Sequence, residues 1–349
     1  MPKQVQPIDL VWCDQGMQEY DWINHLLGDL PVRNIVVSDP NEAPAPTPGA
    51  IYVINTNKLT PPGLIEKIGS GIDSNRPVGL IHLADEWFDG GYGPYNRFDF
   101  VIRTHHAGIF DHPGILVVPL GWPNRTVLSA ETKPSTQRRY RWCFVGNPIA
   151  TRPAMISAFR TWTPNLCQIY DAGAGGRRPL SHGDFIDTLQ DTVFCPAPMG
   201  NVMAETWRLY EALEAGAIPI LERRLTLDYY RDLFGEHPLP TFSSWRSAAH
   251  YAKAMWERPA ELDRLQTDVT HWWREKRGAL QRQTQEFVQR GLSGHFRNDL
   301  ARWRPKGGLA HVLWQGSQLT RHNTVGSLIW RARMTIRRGS IVSAARGSR

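Results

Sequence analysis

Between residues 194 and 221 the chain reads FCPAPMGNVMAETWRLYEALEAGAIPIL. An apolar run ends at Pro198 and a loop containing Gly200 follows. A helix is predicted over 204–216, closed by Gly216, with a second apolar run starting at once. Arg208 and Glu211 stand three residues apart, so both fall on one side of that helix. In an open α/β sheet, ligands lie beyond the carboxyl ends of the strands and near helix N-termini. Gly200 and the first helical turn are therefore expected beside ligand phosphates. Glu211, one to two turns further on, is placed to accept hydrogen bonds from a ribose diol. The same three-residue steps through Glu205, Arg208 and Glu211 also describe an ordinary salt-bridged, solvated helix face.

A second element of the same kind is FVGNPIATRPAMI (144–156). An apolar run ends at Gly146 and Asn147, and Arg152 opens the next predicted helix. Glycine allows the backbone to approach a phosphate closely, and an arginine at a helix start supplies charge-assisted bonds to it. A third cluster lies at 79–106, GLIHLADEWFDGGYGPYNRFDFVIRTHH. Asp85 and Glu86 stand where a buried strand ends, and either could act as a general base, with Asp85 placed slightly ahead. One of them could equally cap the segment that follows. Gly90, Gly91, Tyr92, Gly93 and Tyr95 form a glycine-rich aromatic loop suited to touching a sugar. Arg103, His105 and His106 end the next strand. Tyr92, Arg103 and His105 are taken as acceptor-side candidates. The two histidines are alternative bases or plain hydrogen-bonded structure.

These residues need a frame. Strands are predicted at 8–13, 34–39, 50–55, 77–85, 99–104 and 115–121, with a crossover helix introduced by Pro61 and Pro62. Several are unbroken apolar runs, as parallel strands covered on both faces require. A polar stretch, NRTVLSAETKPSTQRR (124–139), reads as an interdomain linker. Beyond it come strands at 141–147, 167–172, 193–198 and 217–222. Helices lie between them at 152–162, 183–192 and 204–216, and helix dominates from Trp245 to Arg290. The expectation is two Rossmann-like α/β domains, residues 1–130 and 140–310, facing across a cleft, with a helical C-terminal segment and a basic tail at 311–349.

Charge sharpens the picture. Forty Lys and Arg face 33 Asp and Glu, and residues 321–349 contain seven arginines and no acid. Removing those seven leaves 33 bases against 33 acids, so the body is neutral. A nucleic-acid-binding body would need a basic face of its own and is not expected. The tail stretch SLIWRARMTIRRGSIV mixes apolar and arginine positions, as a helix resting on an anionic membrane surface would; a frayed, solvated terminus is the alternative. No apolar run is long enough to span a bilayer, and the N-terminus lacks a secretory-signal pattern. Cys13, Cys143, Cys167 and Cys195 are spaced for neither zinc nor a disulfide framework. A cytoplasmic protein, peripheral to the membrane if the tail engages it, is expected.

The segment 194–221 resembles the donor-binding motif of exostosin-like glycosyltransferases at Pro198, Gly200, Arg208, Glu211, Ala212, Leu213, Ala215, Gly216, Ile218 and Pro219. The architecture is similar, more loosely, to α1,3-fucosyltransferases. The stretches around Arg152 and at 85–103 are also similar to the ribitol xylosyltransferase. The resemblance covers roughly residues 77–222. It implies a GT-B fold and transfer of a sugar from a nucleotide-sugar, with UDP as nucleotide and the motif's Glu211 on the ribose. The acceptor implied is a glycan or glycolipid hydroxyl. No Asp-x-Asp motif stands in a suitable context, which fits inverting transfer with no metal and no other cofactor. Two rivals stay open: a nucleotide-sugar epimerase of the same fold, and a nucleotide- or sugar-binding module without chemistry. A dehydrogenase is disfavoured, because no G-x-G-x-x-G follows a strand.

Overall fold

The computed structural model describes residues 7–13, 18–37, 39, 45–56, 60–61, 63–72, 77–86, 92–126, 132–170, 180–200, 203–223 and 228–304. The basic tail, and Gly90 and Gly91 of the aromatic loop, lie outside the described residues.

Six short Val-, Ile- and Leu-rich runs make the first sheet: β1 (Ile8–Trp12), β2 (Val32–Val36), β3 (Ile51–Asn55), β4 (Gly79–Leu83), β5 (Phe100–Arg103) and β6 (Ile115–Val117). Their order is β2-β1-β3-β4-β5-β6, every pairing parallel. β3, β4 and β5 are buried along their whole length, which is why they read as unbroken apolar runs. Helices α1 (Tyr20–Leu27) and α2 (Leu64–Ser70) flank this sheet, and α1 turns Trp22, Ile23, Leu26 and Leu27 into its core.

The second sheet is also parallel: β7 (Tyr140–Gly146), β8 (Asn165–Ile169), β9 (Thr192–Ala197), β10 (Ile218–Glu222) and β11 (Thr241–Phe242), in the order β11-β10-β9-β7-β8. Strand order reverses direction between β7 and β9, so the crevice beyond their carboxyl ends is a topological switch point. Helices α3 (Arg152–Phe159), α4 (His182–Gln190), α5 (Trp207–Glu214) and α6 (Tyr229–Phe234) connect these strands. Then come α7 (Trp245–Trp256), the 34-residue α8 (Pro259–Leu292) and α9 (Arg297–Arg302). The architecture is α/β in two Rossmann-like halves, as expected.

The end of the chain departs from the expected division. α8 extends about 50 Å at 1.5 Å per residue. Leu262 near its start packs in the core of the second sheet, whereas Trp273, Leu280, Phe287 and Val288 pack in the core of the first. Phe296, Leu300 and Trp303 follow them there. The span 140–310 thus contributes to both halves.

The described residues at the end of the linker are anchored. Arg138 is buried, and its guanidinium donates to the carbonyls of Lys133, Leu189, Thr192 and Ala215, closing the ends of α4 and α5. Burial lowers its pKa to about 10. Helix α5 starts at Trp207, three residues later than the sequence suggested. Ala204 gives its carbonyl to the Tyr230 hydroxyl at 2.7 Å, and Thr206 is extended. Among the described residues, no helix is long and apolar enough to cross a membrane. Cys13, Cys143 and Cys195 are buried and Cys167 is half-buried, all four as free thiols.

Candidate functional site

Two segments converge at the carboxyl ends of β7 and β9. From β9 the chain runs through Pro198 and Gly200 into the extended Thr206 and then α5. From β7 it runs through Gly146 and Asn147 to Arg152 at the first position of α3. Arg208 reaches across from α5, its Nη2 donating to the Val145 carbonyl at 2.7 Å and its guanidinium lying 4.5 Å over the Phe144 ring. Gly146 makes this approach possible: a Cβ there would stand 3.0 Å from Arg208 Nη2. Arg152 Nη1 donates to the Asn147 carbonyl at 3.2 Å.

The two guanidiniums are close enough to repel. Burial first and Arg208 second pull the pKa of Arg152 down to about 10, against the opposing pull of Tyr170 and Glu86. Arg152 thus remains cationic at neutral pH, and neither arginine forms an ion pair among the described residues. Five buried polar atoms without a hydrogen-bond partner come from these two segments: Asn147 Oδ1, Arg152 Nε, Thr206 Oγ1, Trp207 Nε1 and Arg208 Nε. Thr206 is the N-cap of α5, yet its side chain makes no capping bond. Buried polar groups are normally paired, because leaving one unpaired costs roughly 1–3 kcal/mol. Four of the five, all but the Asn147 oxygen, are donors, and a cluster of unpaired donors around two cations is a cradle for an anion.

Glu211 lies one helical turn beyond Arg208 and is 7% exposed. Its Oε1 is 3.6 Å from Nδ1 of His182, whose Nε2 contacts the Thr126 hydroxyl at 3.2 Å. Burial raises the Glu211 pKa to about 7, with Arg208 pulling the other way. The salt-bridged helix face that the spacing also allowed does not form. Glu205 turns away from Arg208 toward Leu120, Tyr210 and Tyr229, while Arg208 spends a donor on a carbonyl. Pro198 and Gly200 shape the turn, with the Gly200 N–H donating to the Met203 carbonyl at 2.9 Å.

The opposite wall comes from the first sheet. Asp85, expected ahead of Glu86 as the base, is 2% exposed and ion-paired to Arg103 at 3.4 Å. Arg103, expected to face the acceptor, is itself fully buried. It lies 3.6 Å over the Phe110 ring and donates to the Tyr95 hydroxyl, which also contacts His82. His82 is held neutral, burial and then Arg103 driving its pKa well down. This pair therefore braces the floor of the wall. A strand end fixes which residues leave the sheet but not which of two successive carboxylates is buried, and here it is Asp85. Glu86 is half-buried and close enough to Arg152 to raise its pKa. Tyr92 packs edge-on against Phe110 and Tyr95. His105, buried in a left-handed conformation at φ 66°, stands 3.7 Å from Glu205.

Sequence reasoning missed Glu205, Thr206 and Trp207 as site residues, because the helix was started at Ala204 and absorbed all three. A threonine directly before an amphipathic run is an N-cap signal that would have moved the boundary. Among the described residues, no group of three or more His, Cys, Asp or Glu is placed to hold a metal ion.

The carboxyl ends of two parallel α/β sheets thus face one another, which is the GT-B arrangement. The crystal structure of an α1,3-fucosyltransferase shares this fold, with a TM-score of 0.53 at 11% identity, covering 84% of this chain and 92% of that one. Two further solved structures align at a TM-score of 0.46 and 10% identity. One is the T4 phage BGT in complex with UDP and Mn2+, covering 81% of this chain and 99% of that one. The other is a Thermobaculum terrenum O-GlcNAc transferase, covering 85% and 68%. No protein-family model matches the chain, and no curated protein matches it in sequence.

Proposed function

We propose that this chain is a glycosyltransferase moving a sugar from a nucleotide-sugar, UDP-linked by the exostosin-like resemblance, to a hydroxyl of a glycan or glycolipid acceptor in surface polysaccharide or glycoconjugate synthesis. The observation that carries the reading is the set of five unpartnered buried polar atoms around Arg152 and Arg208 at a topological switch point. A diphosphate would satisfy the four donors among them, Arg152 Nε, Thr206 Oγ1, Trp207 Nε1 and Arg208 Nε. It would accept from both guanidiniums, from the Thr206 hydroxyl and from the first turn of α5, while Glu211 takes the ribose diol.

In the proposed inverting step the acceptor oxygen attacks the anomeric carbon and the bond from that carbon to the diphosphate oxygen breaks. The acceptor proton passes to the Glu86 carboxylate. Negative charge gathering on the departing diphosphate is met by Arg152 and Arg208, groups already oriented before the reaction begins. Asp85 and Arg103 hold the strand end that carries Glu86. Transfer is expected to persist in the presence of a chelator, since the two arginines supply the positive charge. The arginine-rich stretch beyond residue 320 is proposed to rest on an anionic membrane surface, the site of a glycolipid acceptor.

A thermal-shift panel of UDP-, GDP- and CDP-sugars tests the reading. Ligand well above its dissociation constant raises the melting temperature by mass action. A response confined to UDP supports the exostosin-like branch, and one confined to GDP moves the chain toward the fucosyltransferase-like branch. Absence of any response, or binding with no transfer to any glycan acceptor, removes the proposal.

A further inference from the structure

Glu205 occupies the extended stretch between β9 and α5 and is 3% exposed. Its two oxygens collect partners from both halves of the molecule. Oε1 accepts from the backbone N–H of Leu120, beyond β6, at 2.9 Å and from the Tyr210 hydroxyl on α5. Oε2 accepts from the Tyr229 hydroxyl on α6 at 2.5 Å and faces His105 Nδ1, beyond β5. Tyr229 carries the connection further, its oxygen accepting the backbone N–H of His106 at 3.1 Å.

The partners dictate the side chain. The Leu120 amide and two phenols all approach as donors, so both oxygens must accept. A carboxylate does this, whereas a carboxamide would turn an NH2 group toward one set of donors. Burial alone would raise the Glu205 pKa, but the donors, His105 foremost, outweigh it and hold the carboxyl below its ordinary value. His105 keeps its left-handed backbone beside this carboxylate, the kind of strain that persists only where surrounding contacts fix it. Arg208 and Glu211 follow Glu205 by three and six residues, so the segment that grips the first sheet runs directly into the helix that reads the donor.

We propose that Glu205 is a positioning residue for sugar transfer: it clasps the segments after β5 and β6 to α5 and α6, and so sets the separation between the donor wall and the acceptor wall. This rests on the glycosyltransferase reading for its kinetic consequence but not for its structural one. The clasp acts on the relative placement of the two walls. Arg152, Arg208 and Glu211 all belong to the second half and do not need it to hold a nucleotide.

Spin labels at Val36→Cys on β2 and Lys253→Cys on α7, both exposed positions, report the distance between the halves by pulsed electron paramagnetic resonance. With native Glu205 the distance distribution is narrow. Glu205→Gln broadens it and lowers kcat on the order of a hundredfold, as misplacement by about an ångström does, while the Kd for UDP or GDP stays unchanged. Glu205→Asp, keeping the charge, recovers part of both losses. Tyr229→Phe removes one donor and produces a weaker form of the same split, and it stands as the test if Glu205→Gln does not fold. A narrow distribution with unchanged kcat in the variant overturns the proposal. So does a nucleotide Kd that rises in step with the loss of kcat, which would make Glu205 a prop for α5 alone. If the unsubstituted chain transfers no sugar at all, the glycosyltransferase reading fails, and the distance measurement still decides the clasp.

Discussion

Asp85 and Glu86 are neighbours with opposite surroundings, and the difference makes them separable by experiment. Asp85 is sealed against Arg103, and removing one member of a buried pair strands the other charge, at a cost of about 3–5 kcal/mol. Asp85→Asn is accordingly expected to lower the melting temperature by many degrees. Glu86→Gln is expected to leave the melting temperature nearly unchanged and to lower kcat by about 10²–10⁴-fold with little change in KM, the signature of a lost general base. Equal kcat in wild type and Glu86→Gln would move the base elsewhere, to His105 or His106. Glu211 gives a prediction of a different kind. Its pKa rises from 4.5 in the unfolded chain to about 7 in the fold, so the folded protein holds the proton more tightly. That contribution is fully present below pH 4.5 and is lost as pH climbs through about 7, a span worth roughly 3 kcal/mol. His182 opposes it: burial lowers its pKa, so its contribution is lost as pH falls. Comparing Glu211→Gln with wild type isolates the carboxyl, and melting temperatures between pH 5 and 8 should fall less steeply in the variant. The placement of Arg152, Arg208 and Glu211 beyond the strand ends was legible in the sequence because each sits at a fixed offset from a strand end or glycine turn. Glu205 was not, because its value lies in Leu120 and His105, some hundred residues away in the chain.

α5 starts at a different residue from the one the pattern suggested and is closed by the glycine that the pattern did suggest. At its start, the apolar periodicity includes Ala204, but tertiary bonds to Ala204 and Glu205 keep that stretch extended and leave Thr206 as the cap. At its finish, Gly216 takes φ 67° and its N–H returns to the Leu213 carbonyl, while the Ala217 N–H returns to that of Ala212. These two bonds form a Schellman motif, which satisfies carbonyls that would otherwise be orphaned. A Cβ on Gly216 would also fall 2.4 Å from the Thr132 methyl. Gly216→Ala is therefore expected to destabilise the protein by at least about 1–2 kcal/mol, the usual cost of a left-handed alanine, with the Thr132 clash added. Chemical denaturation would read this as a lower midpoint at unchanged slope. A stability equal to wild type would mean that the turn can relax. β7 to β10 and the helices α3 to α5 between them were legible because each carries its own period and punctuation, whereas the six-residue α6 and two-residue β11 are too short to show one. The reach of α8 was not legible either, since a continuous amphipathic pattern does not say which sheet its second half will meet.

At the scale of the whole molecule, the two sheets are not independent folding units. The core beneath the first sheet includes Leu209, Tyr210 and Leu213 of α5, Tyr229, Tyr230 and Phe234 of α6, and Trp273 through Val288 of α8. Trp273 Nε1 donates to Glu214 Oε1 at 2.7 Å, and Arg277 pairs with the other oxygen at 2.7 Å, so α5 is fastened to the helix that crosses between sheets. Burial raises the Glu214 pKa against those partners, which marks the pair as enclosed. Sequence length pointed to two domains; a shared core predicts one unfolding transition. Calorimetry should show a single endotherm whose calorimetric and van't Hoff enthalpies agree. Trp273→Ala should move that endotherm as a whole, at a cost of about 3–5 kcal/mol for a large buried aromatic, rather than split it. A nucleoside diphosphate held near a hundredfold above its Kd should raise the same transition by about 2.7 kcal/mol, although the contacts proposed for it come from the second half. Two resolved endotherms, with nucleotide raising only one of them, would show that α8 joins the halves without coupling them. In that case the cleft would be free to open without unfolding either core, and the fixed separation of its walls would rest on the bonds that Glu205 and Tyr229 make to the segments after β5 and β6.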